Sequence, residues 1–306
     1  MIIDKIRKII NTKLYNLEDS YITMKFLPFK DVTVDKAEEL YTILKPGSTK
    51  DLLHDYIIML KSGDVLNVDL PFVSDTAKTL SNTYFVKARA VEYSLKSASN
   101  ETINLAFCLS MLDKDAALVG GCVRDSMMST KPKDWDFVSS LDYDTLAKSL
   151  ETAGYQVITT GKNFLVMNVT KNGEMFEIAT YRKDGDYVDG RRPESVEVGD
   201  IFSDAQRRDL TVNSLYFRLS DNVLLDPTGE GLQDVIDRVL KFVGKPEERL
   251  KEDSLRAVRF YRFIQKGFTP DKKSLKAVRS HWEECIKRTS PERIKNEIEK
   301  MVGLSS

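Results

Sequence analysis

Apolar positions along this chain change period near residue 116. Over 34–44 and 50–60 they recur every three to four residues, the spacing of one helical face, and a longer pattern of this kind covers 74–95. Residues 21–29 alternate instead, as a strand with one buried face does. A further helical stretch at 104–112 leads into Ala117-Leu118-Val119, a short buried strand, and Trp135-Asp136-Phe137-Val138 reads as another. Residues 164–170 and 174–181 flank Lys171-Asn172-Gly173, and the Asn-Gly pair supplies the positive φ angles that a tight hairpin needs. A second small hairpin is expected from 215–219 and 223–225, and beyond Leu232 the pattern reads helical to the end. The chain is therefore expected to be α+β: a mixed-sheet head over 99–225, an all-helical segment over 226–306, and an N-terminal extension over 1–98 whose fold the pattern does not assign.

Composition narrows this picture. A length of 306 residues suggests about two domains at ~150 residues each. No apolar run approaches the ~18 residues of a membrane span. The first ten residues interleave Asp4, Lys5, Arg7 and Lys8 with aliphatics, unlike a signal peptide, so a cytoplasmic protein with no membrane partner is expected. Cys108, Cys122 and Cys285 are odd in number and lack C-x-x-C spacing, which argues against a disulfide framework or a zinc site. Net charge is only −1, yet basic residues outnumber acidic ones between 238 and 300. Such a stretch can follow a phosphate backbone; a solvated helical surface would carry the same residues.

Two short segments carry chemistry. Gly120-Gly121-Cys122-Val123-Arg124-Asp125 puts a glycine turn, whose backbone N–H groups can approach phosphates closely, next to a guanidinium fork. Lys133-Asp134-Trp135-Asp136 follows with two carboxylates one residue apart. On a strand both would face one side, where they can hold Mg²⁺, an ion that favours carboxylate and phosphate oxygens. Alone, a Gly-Gly pair is usually a turn and a D-x-D pair usually a solvated one. Their order and spacing are what nucleotidyl transfer requires.

In that order the segments resemble the head signature of class II tRNA nucleotidyltransferases, the family of bacterial CCA-adding enzymes and bacterial poly(A) polymerases. Phe176-Glu177-Ile178-Ala179-Thr180-Tyr181-Arg182 resembles the strand bearing a further acidic residue, and Arg191-Arg192-Pro193 the loop after it. Arg207-Arg208-Asp209-Leu210-Thr211-Val212-Asn213-Ser214-Leu215 is similar to the family's R-R-D-F-T-x-N-A-L element, with Leu210 for Phe and Ser214 for Ala. Asp226-Pro227-Thr228-Gly229-Glu230-Gly231 resembles the turn into the next helix, and Glu252-Asp253-Ser254-Leu255-Arg256-Ala257-Val258-Arg259 the nucleotide-selecting E-D-x-x-R-x-x-R helix. Ser290-Pro291-Glu292-Arg293 looks like the start of a closing neck helix. The likeness runs over roughly 100–304.

The resemblance implies a polymerase-β-like head, a neck that selects the nucleotide, and addition of CMP or AMP from CTP or ATP to RNA 3′ ends by a two-metal mechanism. Asp134 and Asp136 would hold two Mg²⁺ ions, with Glu177 as a third catalytic acid. Gly120, Gly121 and Arg124 would cradle the triphosphate, while Asp125 makes a structural ion pair or caps the following helix. Arg208, Asp209 and Asn213 would read ribose and phosphates, and Arg207 could be structural. Asp253, Arg256 and Arg259, three residues apart, would span ~120° of one helix and present a Watson–Crick-like edge, with Arg262 nearer the helix back, facing phosphate or solvent. Val258, Phe260, Tyr261, Phe263 and Ile264 read as core.

A tRNA 3′ end is the expected partner. Poly(A)-like tailing of other RNAs shares the motifs, though Gly161-Lys162-Asn163-Phe164 resembles the G-K-x-F of some CCA-adding enzymes. A catalytically idle RNA- or nucleotide-binding module is a second alternative, against which the intact Asp134, Asp136, Asp253 and Arg256 argue. The two histidines, His54 and His281, cannot build a metal-dependent hydrolase site. Residues 1–98 are expected to contribute RNA grip or self-association, as an RNA-binding or interaction domain through which the chain could form a homodimer.

Overall fold

The computed structural model describes residues 75–185, 187 and 193–302, with side chains from 86 onward. The patterns at 1–10, 21–29, 34–44 and 50–60, together with His54 and the Arg191-Arg192 pair, lie outside the described residues. Ala88–Ser306 make one compact unit, which contains both the head and the neck segments.

Helices α1 (Asp75–Lys96) and α2 (Asn100–Leu112) come first. They are separated by Ser99, whose extended backbone lets its Oγ accept from the Thr102 N–H at 3.1 Å. Then follow β1 (Ala117–Val119), α3 (Gly121–Met127), β2 (Phe137–Ser139), α4 (Tyr143–Thr152), β3 (Gln156–Ile158), β4 (Val166–Lys171) and β5 (Glu174–Thr180). A separate two-strand pair, β6 (Arg182–Asp184) with β7 (Val196–Val198), leads to α5 (Ile201–Gln206), and β8 (Tyr216–Arg218) and β9 (Val223–Leu225) complete the head. The main sheet runs β3-β4-β5-β2-β1-β8-β9. Only β2 and β5 pair in parallel, so the sheet is mixed.

Both expected hairpins form. Asn172 and Gly173 take φ angles of 51° and 86° and join β4 to β5 directly, and along β5 the buried Phe176 and Ile178 alternate with the exposed Met175 and Glu177. The first strand starts later than its apolar pattern does, because Phe164 closes a single 3₁₀ turn and Leu165 is left-handed. Leu118, Phe137, Tyr216 and Phe217 are fully buried at the sheet centre, with Phe137 edge-on to Phe176 at 6.3 Å.

The neck departs from an uninterrupted helical reading. It contains α6 (Gly231–Ile236), β10 (Val239–Leu240), α7 (Pro246–Glu252), α8 (Arg256–Gln265), β11 (Thr269–Pro270), α9 (Lys272–Arg288) and α10 (Pro291–Met301). β10 and β11 pair in parallel. Arg238 adopts φ 53° just after α6, and the apolar run that follows is buried extended. Phe242 stacks on Phe260 at 5.2 Å, and the backbone of 241–243 bonds back to the head through Thr211 N to Lys241 O and Val243 N to Asp209 O. Among the described residues no helix is long and apolar enough to cross a membrane.

Candidate active site

β1 and β2 are antiparallel, with Ala117 opposite Val138 and Leu118 opposite Phe137. One step further, the Val119 N–H donates to the Asp136 carbonyl at 3.0 Å. The next residue, Gly120, already belongs to the turn into α3, and its N–H donates to the Leu215 carbonyl at 3.1 Å. The D-x-D pair was expected within a strand, but β2 begins only at Phe137. β1 has turned away at Gly120, so Asp134 and Trp135 have no partner on that side.

Gly120 has φ 75° and ψ −123°, which a side chain would strain. A Cβ there would lie 3.6 Å from Arg208 Nη1 and from the Asn213 carbonyl, so the turn packs directly on that guanidinium.

β2 and β5 are parallel, with Phe137 beside Ile178, so that Asp136, the residue just before β2, and Glu177 of β5 each lie one residue earlier. The electrostatics agree. Burial first, then the charge of Glu177 and to a smaller extent that of Asp134, push the Asp136 carboxyl up to about 6 against the pull of Arg208. Asp134 and Glu177 are exposed and Asp136 is half-buried. Gly120, Asp134, Asp136, Glu177 and Arg208 thus meet at one corner of the sheet.

No group of three His, Cys, Asp or Glu residues is assembled as a metal cage among the described residues. The donor set still suits Mg²⁺, which commonly takes one or two carboxylates and completes its shell with substrate phosphates and water.

Arg208 is held from behind by Asp204, a residue not singled out from the sequence. Arg208 Nε and Nη2 donate to Asp204 at 3.1 and 2.8 Å, and Tyr216 adds its hydroxyl at 2.6 Å. Arg207 also donates twice to Asp204, at 2.9 and 2.6 Å, which gives it a structural part. Burial opposes the Asp204 charge, yet the two arginines and Tyr216 hold its carboxyl well below the usual carboxylate range. The signal for Asp204 was its place three and four residues before an arginine pair on a helix.

The other proposed nucleotide contacts hold one another. Arg124, only 4% exposed, donates to Asp125 Oδ1 at 2.8 Å and also to Asn213 Oδ1. Asn213 donates to Asp209 at 3.1 Å, and Arg259 Nε donates to Asp209 at 2.7 Å. Burial works against the Asp209 charge, but Arg259, Arg256 and the Asn213 hydrogen bond keep its carboxyl well below its ordinary value. Arg259 lies 3.9 Å from Glu297, which pairs with Arg262 at 2.6 Å. Arg262 therefore faces a buried carboxylate and not solvent, and Glu297 on α10 is a second partner missed from sequence. Phe263 is core, as expected, but its ring is surrounded by cations: Arg262 at 4.8 Å, Arg124 at 4.9 Å and Lys266 at 5.8 Å. Burial, and next the charge of Arg124, push the Lys266 ammonium down.

Asp253 is not on the same helix as Arg256 and Arg259. α7 ends at Glu252 and α8 begins at Arg256. Between them Asp253 is extended and its Oδ1 accepts from the Leu255 N–H at 3.0 Å, which breaks the helix that the i,i+3 charge pattern suggests. Both Asp253 oxygens accept from Arg293 on α10, at 3.0 and 2.9 Å. Arg256 donates to the Arg249 carbonyl at 3.1 Å, to Glu252 at 2.6 Å and across to the Arg207 carbonyl at 2.8 Å.

Residues 116–241 match the poly A polymerase head domain family. A CCA-adding enzyme of Staphylococcus saprophyticus is 36% identical over 190 residues, covering 61% of this chain and 46% of that enzyme. Poly(A) polymerase I of Salmonella typhi is 33% identical over 184 residues, covering 56% and 38%. The crystal structure of the Bacillus stearothermophilus CCA-adding enzyme in complex with CTP superposes with a TM-score of 0.57 at 25% identity, over 67% of this chain and 49% of that one. The chain spans about half the length, or less, of the relatives it matches.

Proposed function

We propose that the chain, whose residues 116–241 match the poly A polymerase head domain and which resembles both CCA-adding enzymes and a poly(A) polymerase, adds CMP and AMP, from CTP and ATP, to RNA 3′ ends without a nucleic-acid template. The preferred substrate is a tRNA lacking part or all of its CCA end. The observation that carries this reading is the β2–β5 register, which brings Asp136, just before β2, within electrostatic reach of Glu177 on β5, with Asp134 and Arg208 also in reach and the Gly120 turn packed on Arg208.

Asp134 and Asp136 would hold two Mg²⁺ ions, with Glu177 as an outer acidic contributor. When bound, the metal lowers the pKa of an attacking hydroxyl and neutralises charge on the triphosphate. Arg208, fixed by Asp204 and Tyr216, offers its remaining amino group at the glycine turn, which suits a phosphate oxygen. Arg124, Asn213, Asp209 and Arg259 link this corner to α8, where Arg256 and the nearby Asp253 would read the base by exchanging present partners for nucleotide ones.

Poly(A)-like tailing shares every element of this site, and the 33% identity to poly(A) polymerase I keeps it as the second reading. Residues 1–98 would add RNA grip or self-association; a chain shortened to begin near Ser97 should keep nucleotide choice while losing RNA affinity, dimerisation, or both. The deciding experiment supplies tRNA ending before CCA, tRNA ending in CC, and generic RNA, each with Mg²⁺ and one nucleoside triphosphate at a time. Ordered C then A addition to tRNA supports the first reading and A runs on any RNA the second. No incorporation with any RNA overturns both.

A further inference from the structure

A groove of about 440 Å³ lies behind the D-x-D pair, between the C-terminal end of α1 and the segment that follows α3. Its volume falls within the ~300–1,000 Å³ usual for small-ligand sites. Tyr93, 76% exposed, stands on one wall, and Trp135, the residue between the two carboxylates, lines it as well. Ser126 also lines it; its hydroxyl is buried and has no hydrogen-bond partner. A buried hydroxyl left unpaired is costly and rare, and this one borders an open groove. Lys131 supplies the single charge among the lining residues, and no acid is present to repel a phosphate.

Two aromatic faces, a hydroxyl seeking a partner and a lone cation make the set that grips single-stranded nucleic acid, by stacking on bases and attracting the backbone. We propose that this groove seats an unpaired base of the RNA substrate, stacked on Trp135 and Tyr93 and bonded by Ser126 Oγ, with Lys131 near its phosphate. The inference rests on the RNA-extending reading above and adds to it a place for the strand near its reacting end.

Trp135 reports on its own occupancy. The chain has two tryptophans, and Trp282, on α9 against Tyr261, can be replaced by Phe to leave Trp135 alone. Titration of this variant with a single-stranded RNA oligonucleotide, without metal or nucleotide, should quench Trp135 saturably. Adding Tyr93→Ala should weaken that binding by roughly 5- to 100-fold, as loss of one stacked aromatic does. Ser126→Ala should weaken it by about two- to tenfold without lowering the thermal midpoint, since that hydroxyl has no internal partner to lose. Absence of quenching, an unchanged midpoint of titration in Tyr93→Ala, or equal quenching by free ATP or CTP overturns the proposal. Incorporation by the unaltered chain is scored separately. Incorporation without quenching sinks the groove and spares the function, whereas quenching without incorporation does the reverse.

Discussion

The head corner and the neck treat charge in opposite ways. In the head, the side chains of Asp134, Asp136 and Glu177 accept no hydrogen bond and join no ion pair among the described residues, and burial first, then repulsion from Glu177 and Asp134, raises the Asp136 carboxyl. In the neck, Asp253 is clamped by Arg293, Arg256 by two carbonyls and Glu252, and Glu297 by Arg262 and Lys300. Unmet charge at the sheet corner is stored electrostatic cost, which an incoming cation would relieve. Paired charge in the neck is already part of the fold. Side chains of the same types therefore carry different burdens, and substitution can separate them.

The sharpest separation is at the head. Asp134→Ala or Asp136→Ala should remove Mg²⁺-dependent nucleotide incorporation while the thermal midpoint holds or rises, because a repelling charge is deleted. An assay retaining near-normal turnover in either variant would show that the metal ligands lie elsewhere.

The neck should respond in the other currency, stability. Glu297→Ala leaves Arg262 facing a buried void in charge, and breaking such a pair from one side typically costs about 3–5 kcal/mol. Denaturant unfolding reads this directly. A loss below ~1 kcal/mol would mean that the buried pair is not held as described.

Between these extremes stand the base-reading candidates. Asp253→Ala and Arg256→Ala should each blur discrimination among the four nucleoside triphosphates by about 1–3 kcal/mol, the usual cost of an unmatched buried hydrogen-bond partner. Single-nucleotide incorporation rates measure it. Unchanged discrimination in both variants would assign these residues to the scaffold alone.

Much of this was legible from local chemistry. The Asn172-Gly173 hairpin declared itself because its turn needs two positive φ angles, and the Gly120 turn because its φ of 75° is one a side chain would strain. What escaped was tertiary. Asp253, Arg256 and Arg259 keep helical spacing although the helix breaks, and the break comes from Asp253 capping Leu255 with its own side chain. β10 and β11 are two residues each and find one another across thirty positions of chain, so neither carries a period to read. Glu297 and Arg293 were visible only as one face of an amphipathic helix, with nothing in their spacing to name Arg262 or Asp253 as partners.

A further prediction concerns acid. The Asp204 carboxyl is held well below its ordinary value in the fold, by Arg208, Arg207 and Tyr216 acting against burial. Its contribution is complete above the unfolded value of ~3.9 and is lost as pH falls through the lower folded value. Asp204→Asn should therefore flatten the acid limb of stability below about pH 5 by up to ~1.4 kcal/mol per pH unit. Urea unfolding at stepped pH measures the slope, and parallel limbs in the two proteins would place the acid sensitivity in other carboxylates.

The run of contacts from Arg124 through Asn213 and Asp209 to Arg259 has a calorimetric consequence. Arg124 Nε and Nη1, Asn213 Nδ2 and Arg259 Nε already have acceptors, so a nucleotide that engages one of these groups must first displace a bond of similar kind. Binding there is an exchange, and the heat of forming new bonds is largely cancelled by the heat of breaking old ones. Titration calorimetry with CTP or ATP should accordingly record little enthalpy from this part of the site, with released water and freed side-chain motion supplying most of the drive.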